Sequence, residues 1–227
     1  MHLSVIVPTF NEADNIEPLI ATIDLALTGI EYQIVFADDS VDATTDIIRR
    51  ASDADPRIRL SHREAGRGLA SAVVAALPLA TADALAVMDG DLQHPPEILP
   101  RLLERLHDGA DLVVASRYAP GGWDSGLSGP HRRLASKVTR LAAYVLLPGS
   151  KVTSDPLSGY FLFKRSVIEN ANLRPLGYKI LLEILVRGHA RNVADLPFAF
   201  ERRRAEQSKA GLREACNYLR QLWRLRG

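Results

Sequence analysis

The chain has 227 residues, 47% of them hydrophobic and 24% charged, and its 28 basic and 27 acidic side chains leave a formal net charge of +1. These are values of a soluble globular chain long enough to bury a core, and bulk charge alone argues neither for nor against a nucleic-acid partner. The single cysteine, Cys216, excludes an internal disulfide and any multi-cysteine zinc site, and is compatible with a reducing compartment. Residues 1–10 lack a basic leader followed by a long apolar run, so no signal peptide is expected. No apolar run approaches the roughly 20 residues needed to span a bilayer, the longest being 141–147.

Apolar runs alternate with helical patterns along the first half. Strands are expected at 3–8, 32–37, 58–60, 85–88 and 111–116. Helices are expected at 15–27, where Ile16, Leu19, Ile20, Ile23 and Leu27 share one face, and at 42–52, 68–80 and 96–106. Alternation of this kind implies right-handed crossovers and a mostly parallel sheet. Ligands of such sheets lie beyond the carboxyl ends of the strands. Attention therefore falls on residues 9–12, 38–42, 89–93 and 116–122. After Arg117 the pattern loosens. Residues 120–130 are rich in Gly, Pro and Ser and read as a mobile loop. Helices are expected at 136–147 and 176–186, a turn at 155–159 before the apolar Tyr160-Phe161-Leu162-Phe163, and a strand at 193–200.

Asp89 and Asp91 directly follow the fourth strand, with Gly90 between them. If the extended backbone continues, residues 89, 91 and 93 point the same way, and two carboxylates and an amide oxygen converge. Oxygen ligands of that kind suit Mg²⁺ or Mn²⁺. The other reading is a solvated turn that caps the helix beginning near Pro96.

The run Met88-Asp89-Gly90-Asp91-Leu92-Gln93-His94-Pro95-Pro96-Glu97 resembles the signature of dolichol- and polyprenol-phosphate mannose synthases. These are inverting family-2 glycosyltransferases with the GT-A fold, a Rossmann-like, mostly parallel α/β sheet flanked by helices. The resemblance runs in order through Val7-Pro8-Thr9-Phe10-Asn11-Glu12, Asp38-Asp39-Ser40-Val41-Asp42-Ala43-Thr44, Ser116-Arg117-Tyr118, Asp155-Pro156-Leu157-Ser158-Gly159-Tyr160 and Gly177-Tyr178-Lys179-Ile180-Leu181, as far as Ser208-Lys209. It implies one GT-A catalytic domain, with a nucleotide-sugar and metal half over 1–117, an acceptor half over 118–210 and a basic amphipathic helix over 211–227.

The resemblance also implies roles. Pro8, Phe10 and Glu12 border the base and ribose of a nucleotide-sugar donor. Asp38 or Asp39 accepts hydrogen bonds from the base. Asp42 reads better as a helix N-cap. Asp89, Asp91 and Gln93 hold a divalent cation, Mg²⁺ or Mn²⁺, that neutralises the leaving nucleoside diphosphate. Arg117, Arg132, Arg133 and Ser136 cradle the acceptor phosphate, Arg132 and Ser136 sharing a helical face at i,i+4. Lys179, which interrupts an apolar helix, and Arg203 and Lys209 of an Arg-x-x-Gly-x-Ser-Lys-like spacing reach the donor phosphates. Asp91 and Arg117 are the residues expected to be catalytic. His62, His94, His107, His131 and His189 read as structural or exposed. A phosphate monoester is already mostly ionised at neutral pH, so it needs positioning and not a protein base. The implied reaction is transfer of mannose from GDP-mannose to a polyprenyl phosphate. The alternatives are a UDP-sugar such as UDP-glucose on the same acceptor, or a non-catalytic module recruited to a membrane.

Three positions depart from the family pattern: Ala37 where many relatives have Asp, Gly68-Leu69-Ala70 for Gly-Leu-Gly, and Glu206 for a Gly beside the phosphate-binding Lys. A helix is expected over 212–225, with Leu212, Cys216, Leu219 and Trp223 on one stripe and Arg213, Arg220 and Arg224 on another. It suits either an interfacial helix on anionic lipid or a surface helix packed on the core. The expected partners are thus a nucleotide sugar, a polyprenyl phosphate lipid and a membrane surface at its cytoplasmic face, with no nucleic acid.

Overall fold

A computed structural model describes residues 2–64, 68–122, 130–199 and 212–226, with the backbone alone for 130–134 and 212–215. In chain order the elements are β1 (Leu3–Thr9), α1 (Ala13–Ala26), β2 (Tyr32–Asp38), α2 (Thr44–Ala54), β3 (Ile58–His62), α3 (Leu69–Ala76), β4 (Ala84–Val87), α4 (Leu99–His107), β5 (Leu112–Ser116), α5 (Pro130–Leu146), β6 (Phe161–Lys164), α6 (Ile180–Arg187), β7 (Val193–Pro197) and α7 (Leu212–Arg226).

The strands form one seven-stranded sheet in the order β3-β2-β1-β4-β6-β5-β7. β1, β2 and β1, β4 pair in parallel, so Thr9 lies opposite Asp38 while Ile6 lies opposite Val87. β6 is antiparallel to both neighbours, Phe161 facing Val87 on one side and Val114 on the other. Strand alternation divides the core. Val5 and Val7 of β1 and Ile34 and Phe36 of β2 pack on one face with Ile16, Leu19 and Ile23 of α1 and Leu99, Leu102 and Leu106 of α4. Ile6, Val35 and Val87 turn to the other face, against Val73 of α3 and Ile180, Leu181 and Ile184 of α6. Coverage on both faces is why these strands read as unbroken apolar runs. A third, smaller core joins Ala143 and Leu147 to Leu182, Tyr218, Leu222 and Leu225, docking α7 on α5 and α6.

Several boundaries differ from expectation for local reasons. The helix expected from Pro96 opens as a 3-10 turn, Pro96–Ile98, and becomes α-helical only at Leu99. The helix expected over 176–186 begins at Ile180, because Gly177 has φ +70° and a left-handed residue cannot continue a right-handed helix. Lys179 therefore stands at the N-cap position of α6, without a side-chain capping bond, and does not interrupt the helix. The expected mobile loop falls mostly on 123–129, outside the described residues.

Candidate active site

The loops after β1 and β2 are tied together before any ligand is considered. Asn11, at φ +55°, donates its N–H to Ser40 Oγ (2.8 Å) and accepts from the N–H of Val41 at its Oδ1 (3.0 Å). The N–H of Glu12 donates to Thr44 Oγ1 (2.9 Å), and its carboxylate accepts from Asn15 Nδ2 (2.7 Å). Asp42 is not the N-cap expected of it: that position is held by Ala43, and Asp42, one residue ahead, accepts from the N–H of Thr44 (3.0 Å) in a side-chain turn. Pro8 is buried within β1, so Phe10, 45% exposed, is the apolar side chain that this loop presents outward.

Asp38 and Asp39 have different jobs. Asp38 is fully buried; its Oδ1 accepts from Thr9 (2.7 Å) and Ser40 (2.6 Å), and its Oδ2 from Thr45 (2.7 Å) and pairs with His62 Nδ1 (2.8 Å). Burial pushes this carboxyl up, but hydrogen bonds from Ser40, Thr45, Thr9 and His62 outweigh it and hold it below the usual range. A role for Asp38 in gripping a base gives way here to a role in bolting β1, β2 and β3 together at their carboxyl ends. Asp39 is gripped through both oxygens by Arg63 (2.7 and 2.5 Å), and Arg63 Nη1 also donates to Ser71 Oγ (3.1 Å). Asp39 is thus one half of an ion pair and not a lone carboxylate, and the sequence pattern did not point to Arg63. Asp38→Ala leaves several donors of these loops without their acceptor. It is expected to cost about 4 kcal/mol or more of stability in urea denaturation. A loss under about 1 kcal/mol would show that these contacts do not hold the strand ends.

The carboxylate pair sits where β4 ends. The extended backbone does not continue to residue 93: Leu92 adopts φ +61°, which turns the chain, and the N–H of Gln93 donates back to Asp91 Oδ1 (3.2 Å). Simple alternation is therefore not what relates Asp89, Asp91 and Gln93. Gln93 is buried, Asp91 is half-buried and the Asp89 side chain is 34% exposed. His94 holds this turn in place. The N–H of Asp89 donates to His94 Nδ1 (2.9 Å), which puts any ring proton of the neutral imidazole on Nε2. Burial, with Arg117 and Lys179 nearby and Asp91 opposing, pushes His94 down to about 4, so it is neutral. Its ring stacks on Tyr160 (5.0 Å), whose hydroxyl donates to the carbonyl of Pro95 (3.0 Å). Gly159 passes beside the pair; a Cβ there would lie 2.9 Å from Asp89 Oδ2 and 3.2 Å from His94. Only a glycine leaves the Asp89 carboxylate its room.

Two cations stand just past the end of β5 and just before the start of α6. Arg117 is clamped by Asp155, Nε to Oδ2 at 2.8 Å and Nη2 to Oδ1 at 3.0 Å, with the two side chains 12% and 1% exposed. Lys179 Nζ donates to the carbonyl of Leu157 (2.7 Å) and lies 4.6 Å from the Tyr178 ring centre. Burial first, then Arg117, pushes the Lys179 ammonium down to about 8, against the pull of Asp155 and Asp89. The turn 155–159 gathers these groups into one site: Asp155 holds Arg117, the carbonyl of Leu157 holds Lys179, and Gly159 lies against Asp89 and His94. Ser136 meets it through Tyr118, hydroxyl to hydroxyl at 2.7 Å, and Arg140 stacks over the Tyr118 ring at 3.8 Å. Asp155 and Arg140 were missed by sequence reasoning. Arg140 continues the i,i+4 row of Arg132 and Ser136, a signal that was available. The side chains of Arg132 and Arg133, and all of Arg203, Glu206 and Lys209, lie outside the described residues.

The sheet, its flanking helices and this position of the carboxylates define a GT-A, Rossmann-like α/β fold. The same fold occurs in glucosyl-3-phosphoglycerate synthase from Mycobacterium tuberculosis, solved with Mn²⁺, UDP and glucosyl-3-phosphoglycerate (TM-score 0.71, 24% identity, 98% of this chain and 77% of that one). Residues 4–170 match the model of glycosyl transferase family 2, and the chain belongs to that family. It is similar to the dolichol-phosphate mannosyltransferases of Pyrococcus furiosus (39% identity, 99% of this chain) and Saccharomyces cerevisiae (35%, 96% of this chain). It also resembles the polyprenol monophosphomannose synthase of Mycolicibacterium smegmatis (31%, 98% of this chain). The chain spans 64% of the length of the Pyrococcus relative and 85% of the yeast one.

Proposed function

We propose that this chain catalyses transfer of mannose from GDP-mannose to the phosphate of a polyprenyl lipid, with inversion at the sugar carbon. The observation that carries the reading is the turn 155–159, which holds Arg117 through Asp155 and Lys179 through the carbonyl of Leu157 while Gly159 lies against Asp89 of the carboxylate pair. A donor diphosphate and an acceptor phosphate are both anions, and bringing them together requires positive charge on both sides of the reacting carbon. Three relatives named for dolichyl or polyprenyl phosphate and mannose, matched over nearly the whole of this chain, support the choice of acceptor and sugar.

The donor set fits a hard divalent cation. Asp89 and Asp91 offer carboxylate oxygens at a tight turn, and Gly159 keeps space beside Asp89. Among the described residues there is no group of three or more His, Cys, Asp or Glu side chains that could hold a metal ion by itself, so a cation here needs other oxygens as well. Two carboxylates completed by the Gln93 amide, diphosphate oxygens and water therefore suit Mg²⁺ or Mn²⁺. When bound, the cation supplies charge that stabilises the departing diphosphate. The chain's own groups do the rest. Asp155 holds the Arg117 guanidinium with its fork fixed, so that it orients the acceptor phosphate. Lys179 adds charge from the start of α6. Phe10 gives the base an apolar face beside the Arg63–Asp39 pair. The acceptor oxygen is the nucleophile; it needs no base. A lipid acceptor places the domain at the cytoplasmic face of a membrane, although no helix among the described residues is long and apolar enough to cross one.

The test is a donor panel with detergent-dispersed polyprenyl phosphate, scored by formation of the glycolipid. Product is expected from GDP-mannose, lost with EDTA and restored by Mn²⁺ or Mg²⁺. Product only from UDP-sugars would sink the mannose assignment, and undiminished turnover in EDTA would sink the cation.

A further inference from the structure

Away from the Asp89–Asp91 turn lies a cavity of about 490 Å³ lined by Arg174, Arg187, Trp223, Arg224 and Arg226. Four arginine residues line one space in a chain whose formal net charge is only +1. Among the described residues the carboxylate beside them is Glu183, which does not balance four arginines. Glu183 is buried, and its Oε1 already lies 3.0 Å from Arg187 Nε and accepts from the N–H of Arg174 at 2.7 Å. Arg187 Nη2 donates to the carbonyl of Arg224 (3.3 Å), which ties the end of α6 to α7, and Arg174 Nε donates to Asn172 Oδ1 (3.0 Å). Arg174, Arg224 and Arg226 are exposed. Clustered guanidinium forks repel one another and match the oxygens of a phosphate ester.

The surroundings say which phosphate. α7 buries Tyr218, Leu222 and Leu225, and so turns Leu219 (61% exposed) and Trp223 (79%) outward beside Arg220 and Arg224. The stripe of Cys216, Leu219 and Trp223 is thus the solvent face of this helix. α5, on which α7 packs, exposes Val138, Leu141 and Val145 at helical spacing, and Val152 is exposed in the turn after it. Six of the ten large exposed apolar side chains among the described residues lie on these two helices and that turn. Exposed apolar side chains on two packed helices, with arginines and a tryptophan at the end of one of them, are the composition of a surface that beds into an anionic bilayer.

We infer that the cavity between α6 and α7 is an anion site for the phosphate of a membrane lipid headgroup, and that it seats the exposed faces of α5 and α7 on an anionic bilayer. The inference rests on the lipid-acceptor reading for why this domain meets a membrane; its own residues are separate from the reacting site. In a Trp123→Phe background Trp223 is the sole tryptophan and reports on the cavity. Its emission is expected to shift to the blue with vesicles of phosphatidylcholine plus phosphatidylglycerol, and not with phosphatidylcholine alone. Adding Arg224→Gln and Arg226→Gln is expected to weaken vesicle binding about 30-fold, at roughly 1 kcal/mol per arginine near such a surface. Turnover on detergent-dispersed acceptor is expected to stay unchanged in that variant. No shift with any vesicle, equal binding to both vesicles, or equal binding by the variant overturns the inference. So does saturation by inorganic phosphate with no further response to vesicles, or burial of Trp223 in a concentration-dependent dimer. Failure of vesicle binding with intact transfer to polyprenyl phosphate defeats this site alone. Vesicle binding without any transfer defeats the catalytic reading and leaves this site standing.

Discussion

Asp91→Ala is expected to lower glycolipid formation by about 1,000-fold, the upper range for removing one group that stabilises developing charge. The fold should survive it. Asp91 is half-buried, and the hydrogen bond it accepts from the N–H of Gln93 is long at 3.2 Å. Losing that bond should change stability by about 1 kcal/mol. Activity and stability are thereby separated, and a denaturation curve recorded beside the assay makes the distinction. Asp91→Asn keeps shape and one oxygen but loses charge, so it should retain more activity than alanine and demand more Mn²⁺ for half-maximal rate. Transfer left unchanged in Asp91→Ala, with divalent cation still required, would remove this residue from the proposed cation site.

Asp155→Asn is expected to act through Arg117. The wild-type carboxylate holds two guanidinium nitrogens at 2.8 and 3.0 Å in a site nearly closed to water. An amide can accept only one of these bonds well and brings a donor against a donor at the other. Breaking a buried pair by altering one partner costs about 3 kcal/mol or more, because the remaining charge stays where water cannot reach it. Turnover should fall roughly 100-fold through the misplaced fork. The acceptor KM should rise with that fall while the donor KM stays close to wild type. A variant that loses stability but keeps its acceptor KM and turnover would show Asp155 to be a brace for the fold and nothing more.

Both predictions rest on residues with different histories in the sequence. Asp91 stood out because a local pattern, apolar strand then Asp-Gly-Asp, puts charge where α/β sheets open. The same kind of pattern located β1 to β5, α1 and α4, since fully buried strands and one-faced helices leave their spacing in a few neighbouring residues. Family resemblance carried this to Arg117 and Lys179. Asp155 drew notice as part of a turn, not as the partner of Arg117, because that bond joins residues 38 apart in sequence. His94 reads as one more histidine until the 3D arrangement puts its Nδ1 under the N–H of Asp89 and its ring on Tyr160, 66 residues further on. Asp38 and Asp39 are chemically identical neighbours, and only the arrival of Thr9, Thr45 and His62 at one and of Arg63 at the other tells them apart.

α7 shows the division most plainly. Its sequence specifies a helix with basic residues and two apolar stripes, Cys216-Leu219-Trp223 and Tyr218-Leu222-Leu225. Helical periodicity permits burial of either. Packing against Ala143, Leu147 and Leu182 selects the second, and the first is left facing out with Trp223 beside the arginines. The alternation of strand and helix and the place of the carboxylate pair were thus determined by sequence alone, because they depend on contacts between near neighbours. The antiparallel insertion of β6, the clamp on Arg117 and the outward face of α7 were decided by tertiary structure, because each depends on which distant surface fills the available space.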